Sequence, residues 1–309
     1  MQIAGGLQMD VCIFGGSGLI GQSLAAAVEK SGHHAWVMSR SSGPVEYGTV
    51  HTYSLGTLRK DIESLPVTGP YAIVNLAGES ISGGRWTENR RRSIRQSRIE
   101  LTRALSGAIA SLDRVPEVFV SGSAIGYYGS SETATFVEDS APGTGFLPEV
   151  TMDWEQAAEN AAKQTRVVLL RTGVVLSPHG GALPPMVTPY RLFAGGRVGS
   201  GRQWVSWIHI ADVVGIIQFC IANRQISGPV NATAPNPVRM DEFGRLIAAV
   251  LHRPHWFPVP AVMMRLLFGS MSEIILEGQR VLPEVVQHSG YEFQFQDPQV
   301  ALADLLRGV

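Results

Sequence analysis

A glycine-rich turn directly after an apolar run restricts what the start of this chain can fold into. Gly15, Gly18 and Gly21 follow the run DVCIF at Asp10–Phe14 and lead into a helix-like stretch at 20–30, with the spacing G-x-x-G-x-x-G. In such a unit the first glycine permits a tight turn, the second lets the backbone approach a phosphate and the third lets the helix pack on the strand. Unbonded N–H groups at the helix N-terminus favour an anion. The turn therefore predicts a nucleotide-binding unit; a glycine-rich turn without a ligand is the alternative.

Apolar runs alternate with longer helix-like stretches as far as about residue 177. We predict further strands over 35–39, 72–77, 118–121 and 166–171, and helices over 90–110 and 148–163. Runs such as VCIF and VVLL are apolar on both faces, which is typical of parallel strands covered by helices on each side. The alternation predicts an α/β fold, a Rossmann-like doubly wound parallel sheet.

The alternation ends after residue 177. A segment rich in Gly and Pro follows at 177–202, the run WIHIADVVGIIQFCIA then resumes a strand edge and a helix, and the rest is more helical. We predict a Rossmann domain over 9–177, completed by about 205–234. Residues 178–204 and 235–309 then form a smaller, mainly helical C-terminal substrate lobe, which covers the sheet edge where ligands of such folds bind.

Charge and hydropathy exclude several classes of protein. With 25 Lys+Arg against 26 Asp+Glu, the formal net charge is −1, which argues against a protein built chiefly to bind nucleic acid or an acidic membrane. No uncharged apolar stretch approaches the ~20 residues of a membrane span. We therefore expect neither nucleic acid nor a membrane as a partner.

Cysteine and histidine usage points to a cytoplasmic protein without a metal site. Cys12 and Cys220 both lie in apolar runs, so no disulfide framework is expected and a reducing compartment fits. The first residues lack the basic and apolar segments of a secretory signal. His252 and His255 flank Pro254 without thiol partners or helical spacing, so we predict no metal site.

The residues after the second predicted strand indicate which nicotinamide cofactor fits. In units that bind NAD, an acidic residue about 20 positions past the glycines holds the ribose hydroxyls. Here the chain reads Ser39-Arg40-Ser41-Ser42, with no carboxylate before Glu46. Arginine offers planar paired donors to phosphate oxygens, so we predict NADP(H) as the cofactor. An ordinary solvent-exposed arginine is the alternative reading of Arg40.

Several blocks of the chain resemble those of extended short-chain dehydrogenases/reductases. They are GGSGLIG, NLAG, VSGSAIGYYG, RTGVVL, WIHIADVV and VNATAP. More narrowly, NLAGESI, SAIGYYG, DWEQAA and the tail FGSMSEIILEGQRVLPEVVQHSGYEF resemble an atypical, NAD-dependent epimerase/dehydratase-like branch called the epimerase family protein. Relatives in that branch have an extra C-terminal domain and are sometimes labelled cell-division inhibitors. The resemblance implies a Rossmann domain, bound NADP(H), an undefined small-molecule substrate and, as a superfamily habit, a homodimer.

The resemblance also implies which residues contact the cofactor. They are Gly15, Ser17, Gly18, Leu19, Ile20, Gly21, Ser39, Arg40, Leu76, Ala77, Gly78, Arg98 and Val175. Leu76, Ala77 and Gly78 would lie against the adenosine half. Arg98 would face the phosphates, and Val175 would flank the nicotinamide end.

The catalytic motif of the superfamily is missing. Its hydride-transferring members share a Ser or Thr with a Tyr-x-x-x-Lys, in which the lysine lowers the pKa of the phenol. The residues four positions before Lys30, Lys60 and Lys163 are Ala26, Gly56 and Glu159, so the chain contains no such motif. Val150 and Trp154 stand near the expected Tyr and Lys positions.

Ser123 and Tyr127 are the candidate catalytic residues. Ser123 matches the superfamily's catalytic serine, and Tyr127 or its neighbour Tyr128 could replace the lost phenol. The alternatives are a Ser123 hydroxyl that bonds the backbone at a strand end and tyrosine rings that pack at the lobe boundary. Further cleft-side candidates are Glu79 and 153–155 (DWE), although a solvated helix start also explains the latter.

Three functions are compatible with these features. The first is an NADP(H)-dependent oxidoreductase that acts on an unidentified small carbonyl or sugar-like substrate. The second is a non-catalytic NADPH-binding sensor, which the lost Tyr/Lys pair also fits. The third, a sugar-nucleotide epimerase, usually depends on the missing pair.

Overall fold

The computed structural model describes residues 8–81 and 85–307. The strands are β1 (Asp10–Phe14), β2 (His34–Ser39), β3 (Thr49–Thr52), β4 (Tyr71–Asn75), β5 (Val118–Ala124), β6 (Thr135–Phe136), β7 (Arg166–Thr172), β8 (Val174–Ser177), β9 (Gly180–Gly181), β10 (Trp204–Val205), β11 (Trp207–His209), β12 (Gly228–Ala232), β13 (Val238–Arg239) and β14 (Arg280–Val281). The α-helices are α1 (Leu19–Lys30), α2 (Leu58–Glu63), α3 (Glu88–Ile109), α4 (Phe146–Glu159), α5 (Leu183–Arg191), α6 (Ile210–Ala222), α7 (Met240–Leu251), α8 (Ala261–Phe268), α9 (Glu273–Leu276), α10 (Glu284–His288) and α11 (Pro298–Leu306). Short 3₁₀ helices lie at Ile125–Tyr128 and Gly269–Ser272.

The main sheet is parallel and doubly wound, as the sequence predicts. Within the described residues it contains seven strands in the order β12-β7-β5-β4-β1-β2-β3. The chain builds outward from β1 to β3, then returns to the other side of β1 with β4 and builds outward again. This reversal opens a crevice at the carboxyl ends of β1 and β4, where ligands of such sheets bind.

Helices cover both faces of the sheet. On one face α1 and α6 pack against side chains such as Val11, Val74 and Val168. On the other face α2, α3 and α4 pack against Phe14, Ile73 and other strand residues. Because both faces are covered, the strands are apolar throughout, which explains the continuous apolar runs in the sequence.

The C-terminal region is mainly helical and has its own core. Side chains from α5, α7 and α11 surround the fully buried Trp207 and Phe243. Asp212, at the start of α6, accepts hydrogen bonds from the Tyr291 hydroxyl at 3.0 Å and from the backbone N–H groups of Gln294 and Phe295 at 2.8 and 2.9 Å. The buried carboxylate therefore ties the C-terminal segment to the Rossmann-like sheet.

Most predicted elements are confirmed, with shifted ends. The first strand is as predicted, and the long helix predicted over 90–110 spans Glu88–Ile109. The helix predicted over 148–163 begins at Phe146 and ends at Glu159. Our sequence reading did not locate β3, a short edge strand whose residues are only partly buried or exposed. No helix within 8–81 and 85–307 is both long and apolar enough to span a membrane.

Gly21→Ala is expected to destabilise the fold by about 1–3 kcal/mol, the usual cost of overpacking. A Cβ on Gly21 would lie 2.3 Å from the Gly15 carbonyl oxygen and 2.6 Å from the Gly16 Cα, and both are backbone atoms. The matched control is Gly107→Ala, since a Cβ on this exposed glycine of α3 meets nothing within 4 Å. Urea unfolding should show a loss for the first variant and a gain of about 0.5–1 kcal/mol for the second; equal midpoints would contradict the contact.

Candidate functional site

The crevice is formed by a close backbone contact between the glycine turn and the end of β4. Gly15 has φ +79°, and a Cβ there would lie 2.7 Å from the Ala77 backbone nitrogen. The Leu76 N–H donates to the Phe14 carbonyl at 2.8 Å, and the Gly18 N–H donates to the Gly15 carbonyl at 3.0 Å. Only glycine fits at Gly15, because the position needs both a left-handed backbone and an absent side chain.

The start of α1 faces the open side of this turn. Gly18 is the N-cap residue and has no side chain to accept from the first N–H groups of α1. Ser17 and Gly18 are exposed, while Leu19 and Ile20 are partly buried. Backbone N–H groups at an uncapped helix start bind phosphate oxygens well.

Ser39 and Arg40 lie at the adjacent carboxyl end of β2. The Ser39 hydroxyl accepts a hydrogen bond from the Ser41 N–H at 3.2 Å. Arg40 is exposed and, in the part of the chain that the structure describes, forms no ion pair. Burial raises the pKa of Tyr53, and the Arg40 guanidinium opposes this rise, so the cation lies close to Tyr53. Arg40 is therefore a cation at the end of the crevice that no carboxylate of the described residues neutralises.

A second such cation lies beyond the tip of β4. A Cβ on Gly78 would lie 3.2 Å from the Arg98 guanidinium carbon, and Arg98 donates to the Ile94 carbonyl at 3.0 Å. Burial and the neighbouring Arg90 lower the pKa of Arg98 to about 10. Among the described residues no carboxylate pairs with Arg98. A partly desolvated cation of this kind favours an anion beside it.

The hairpin of β8 and β9 meets α1 beside the glycine turn. A Cβ on Gly181 would lie 3.2 Å from both the Leu19 side chain and the Val175 carbonyl oxygen. Ile20 and Val175 also pack against the apolar core on this face of the sheet. The predicted cofactor residues of the first turn and of β8 are therefore neighbours in space.

A buried polar network lies at the carboxyl ends of β5 and β7. The Ser123 hydroxyl donates to Glu155 Oε1 at 2.6 Å. Arg171 donates from Nε to Oε1 and from Nη2 to Oε2 of Glu155, both at 2.8 Å. Ser123, Glu155 and Arg171 are all at most 6% exposed. Although burial opposes the charge, the Glu155 carboxylate raises the pKa of Arg171.

The two tyrosines differ in their surroundings. The Tyr128 hydroxyl donates to Asn231 Oδ1 at 2.8 Å and accepts from Arg171 Nη1 at 2.9 Å. Burial raises the pKa of Tyr128 to about 12, so this phenol stays protonated at neutral pH. The Tyr127 ring is partly exposed and lies with its centroid 3.5 Å from the Arg171 guanidinium carbon. Of the two phenols, only Tyr127 is partly exposed, although its ring also packs against the cluster of Ile125, Tyr128 and Val281.

The structure decides several alternatives that the sequence left open. Ser123 bonds a carboxylate and not the backbone. Because α4 begins at Phe146, Trp154 and Glu155 do not form a helix start; both are buried, whereas Asp153 pairs with Arg95 at the surface. Glu79 accepts hydrogen bonds from the Arg90 and Ser93 side chains. The sequence did contain a sign that Glu155 is buried, because it stands at helical spacing from apolar residues of α4 such as Ala158.

Glu138 connects this network to the C-terminal region. Its Oε1 accepts from the backbone N–H groups of Asn231 at 3.0 Å and Val285 at 3.2 Å. Its Oε2 is buried and has no hydrogen-bond partner among the residues that the structure describes. Within the described residues no group of three or more His, Cys, Asp or Glu side chains is arranged to hold a metal ion.

Comparison with known proteins gives consistent family matches. The pattern of the NAD dependent epimerase/dehydratase family matches residues 11–232, and that of a domain of unknown function (DUF1731) matches 259–305. The epimerase family protein YfhF of Bacillus subtilis is 40% identical over 301 residues, 96% of this chain and 98% of the relative. The chloroplastic SDR39U1 homolog of Arabidopsis thaliana is 38% identical over 97% of this chain and 87% of its own. The crystal structure of human epimerase family protein SDR39U1 with NADPH superposes with a TM-score of 0.89 at 33% identity, covering 97% of this chain and all of that one.

Burial of Glu138 has a consequence for the pH dependence of stability. Burial raises the pKa of Glu138 above its usual value of 4.5. A raised carboxyl pKa contributes stability below the unfolded pKa, and this contribution is lost as pH rises through the folded pKa. Glu138→Gln does not titrate, so its stability relative to the natural protein should rise between acidic and neutral pH. Chemical unfolding at several pH values measures the slope. The exposed Glu292→Gln should give a flat difference, and a falling one for Glu138→Gln would contradict the assignment.

Proposed function

The chain belongs to the NAD dependent epimerase/dehydratase family, and we propose that it binds NADP(H) and transfers hydride to or from a small carbonyl or sugar-like substrate. The observation that carries the proposal is the crevice itself. A glycine turn, an uncapped helix start and two cations without carboxylate partners, Arg40 and Arg98, converge on one end of the sheet. Such a set fits a ligand with several phosphate groups.

The residues present fit the dinucleotide. The absent side chains of Gly15, Gly18 and Gly21 keep the turn open to a pyrophosphate and the helix close to the strand. Ser39 and Arg40 supply a hydroxyl and a guanidinium where NAD-binding units carry a carboxylate, which favours a 2′-phosphate. The NADPH in the structure of the human relative supports this choice.

When bound, the nicotinamide would supply or accept the hydride. The residues at the ends of β5 and β7 would bind the substrate oxygen and move its proton. The Ser123 proton lies on the bond to Glu155, so the Ser123 oxygen offers its lone pairs to a substrate hydroxyl. Oxidation of that alcohol would pass its proton to Ser123 Oγ as Ser123 gives its own to Glu155. Arg171 holds the carboxylate through two parallel bonds and balances its buried charge.

Tyr127 is the second group assigned to the substrate. Its ring lies over the Arg171 guanidinium, a cation near a phenol, although not in the Tyr-x-x-x-Lys spacing. We assign Tyr127 a hydrogen bond to the reacting oxygen. Tyr128 is the poorer choice because its hydroxyl is already bonded to both Asn231 and Arg171.

A non-catalytic NADPH sensor is the second candidate, and one observation favours it. The Ser123–Glu155–Arg171 network satisfies its own hydrogen bonds, so it is complete without a substrate. A sugar-nucleotide epimerase is favoured less, since the Tyr-x-x-x-Lys pair is missing. The proposal also includes a cytoplasmic location, which the buried, free thiols of Cys12 and Cys220 support.

NADPH should bind at least about tenfold more tightly than NADH, a difference of about 1.4 kcal/mol. Arg40→Ala should remove this preference because it removes the 2′-phosphate partner, while the exposed Arg103→Ala should keep it. Parallel titrations that follow quenching of tryptophan fluorescence measure both ligands. Equal affinities would show that Arg40 does not bind a 2′-phosphate, and no binding of either ligand would refute the proposed function.

Turnover separates the enzyme from the sensor. With NADP⁺ and a panel of small alcohols, or NADPH and the matching carbonyls, the absorbance of the reduced nicotinamide should change in a single turnover. Ser123→Ala and Tyr127→Phe should slow this change by roughly 10²-fold or more, the scale of general acid–base assistance. Ser121→Ala, on the same face of β5, is the matched control. Unchanged absorbance across the panel, with NADPH binding intact, would favour the sensor.

A further inference from the structure

An exposed edge of the C-terminal region combines apolar side chains with arginines. It consists of the loops 191–197 and 253–259 and the helix α8, and we call it the aromatic–arginine edge. Its exposed apolar residues are Leu192, Phe193, Trp256, Phe257, Val262 and Leu266. Leu192, Trp256 and Leu266 are 72%, 67% and 68% exposed, so they project from the surface. Clustered exposed apolar groups of this kind mark interaction surfaces.

The two loops are held together, which fixes these side chains outward. The backbone N–H groups of Trp256 and Phe257 donate to the Gly195 carbonyl at 3.0 and 3.1 Å. The Trp256 indole N–H donates to the Phe193 carbonyl at 2.9 Å. Phe193 has φ +59°, a left-handed conformation that is unfavourable for a bulky aromatic residue. Strain of this kind persists where neighbouring contacts impose it, and it clusters at functional surfaces.

The segments that form the edge contain arginines and no acidic residue. The sequence has no Asp or Glu between Glu159 and Asp212 or between Glu242 and Glu273, which includes both loops and α8. Arg191, Arg197 and Arg265 are exposed, and the Arg253 guanidinium carbon lies 4.4 Å from the centroid of the Phe193 ring. The carboxylate of Asp241, in the neighbouring α7, is bonded to His255 and Arg245. The two loops and α8 are therefore cationic, although the whole chain has a formal charge of −1.

We propose that the aromatic–arginine edge is a peripheral contact site for an anionic lipid bilayer. Its arginines match lipid phosphates in charge, and tryptophan favours the interface between headgroups and acyl chains. Its apolar side chains project from the surface, so a deformable surface accommodates them more readily than a rigid partner. A second copy placed symmetrically on this edge would bring arginines against arginines. Apolar insertion combined with basic residues gives reversible binding without a membrane span.

Co-sedimentation of the full chain with lipid vesicles tests this site. The protein should bind vesicles of phosphatidylcholine with phosphatidylglycerol, should not bind phosphatidylcholine alone, and should be released as NaCl screens the arginines. The pair Arg253→Glu and Arg265→Glu should weaken binding by about tenfold or more, because each reverses a charge near the anionic surface. Trp256→Ser should weaken binding and leave its salt dependence in place.

Matched controls keep the result specific to the edge. Leu55→Ser replaces an apolar residue that is 52% exposed elsewhere, and Arg103→Glu reverses an exposed cation of α3; both should bind as the natural protein does. Circular dichroism checks that each variant folds. If the double arginine variant does not fold, the single variant Trp256→Ser provides the test. Absence of binding to anionic vesicles, equal binding to neutral ones, or edge variants that bind normally would overturn the proposal. Binding to soluble polyglutamate without binding to vesicles would also overturn it, in favour of an acidic protein partner.

Discussion

The close approach of the glycine turn to the end of β4 is the constraint on which the rest of the structure depends. Gly15 lies so near Ala77 that no side chain fits between them, and Gly21 packs equally closely on the backbone of the turn. This contact fixes the start of α1 next to the point where the strand order reverses. The crevice, its exposed N–H groups and the neighbouring arginines all follow from that packing. An added methyl group at Gly15 would push the turn away from the end of β4, and one at Gly21 would push α1 away from the turn.

The ion pair of Glu155 and Arg171 plays a comparable part on the other side of the crevice. Both side chains are buried, and burying charges is unfavourable unless pairing and hydrogen bonds compensate. Here Ser123, Tyr128 and the Glu138 carbonyl complete the compensation. The same bonds orient the Ser123 hydroxyl toward the carboxylate, so stability and the candidate chemistry share one network. These hydrogen bonds fix the positions of Ser123, Glu155 and Arg171 at the ends of β5 and β7.

The C-terminal region depends on the sheet through a few buried polar contacts. Asp212 binds the tail through Tyr291 and two backbone N–H groups, and Glu138 accepts from backbone N–H groups of both β12 and the first turn of α10. Because these contacts are buried, breaking either would leave unpaired polar groups inside the protein. They tie the region to the sheet, while Phe193 and Trp256 in its outer loops are exposed.

The doubly wound sheet, the glycine turn and the residues from which the cofactor is predicted could be recognised in the sequence, because these depend on short-range patterns. Strand runs, glycine spacing and the residue at Arg40 are each read within a few positions of the chain. The sequence also showed that the Tyr-x-x-x-Lys motif is missing. Only the tertiary structure showed what lies in that place, because Ser123, Glu155 and Arg171 come from separate elements and meet through strand pairing and helix packing. The aromatic–arginine edge could not be predicted from the sequence for a related reason. The net charge is a sum over the whole chain, whereas the fold decides which charged side chains share a surface.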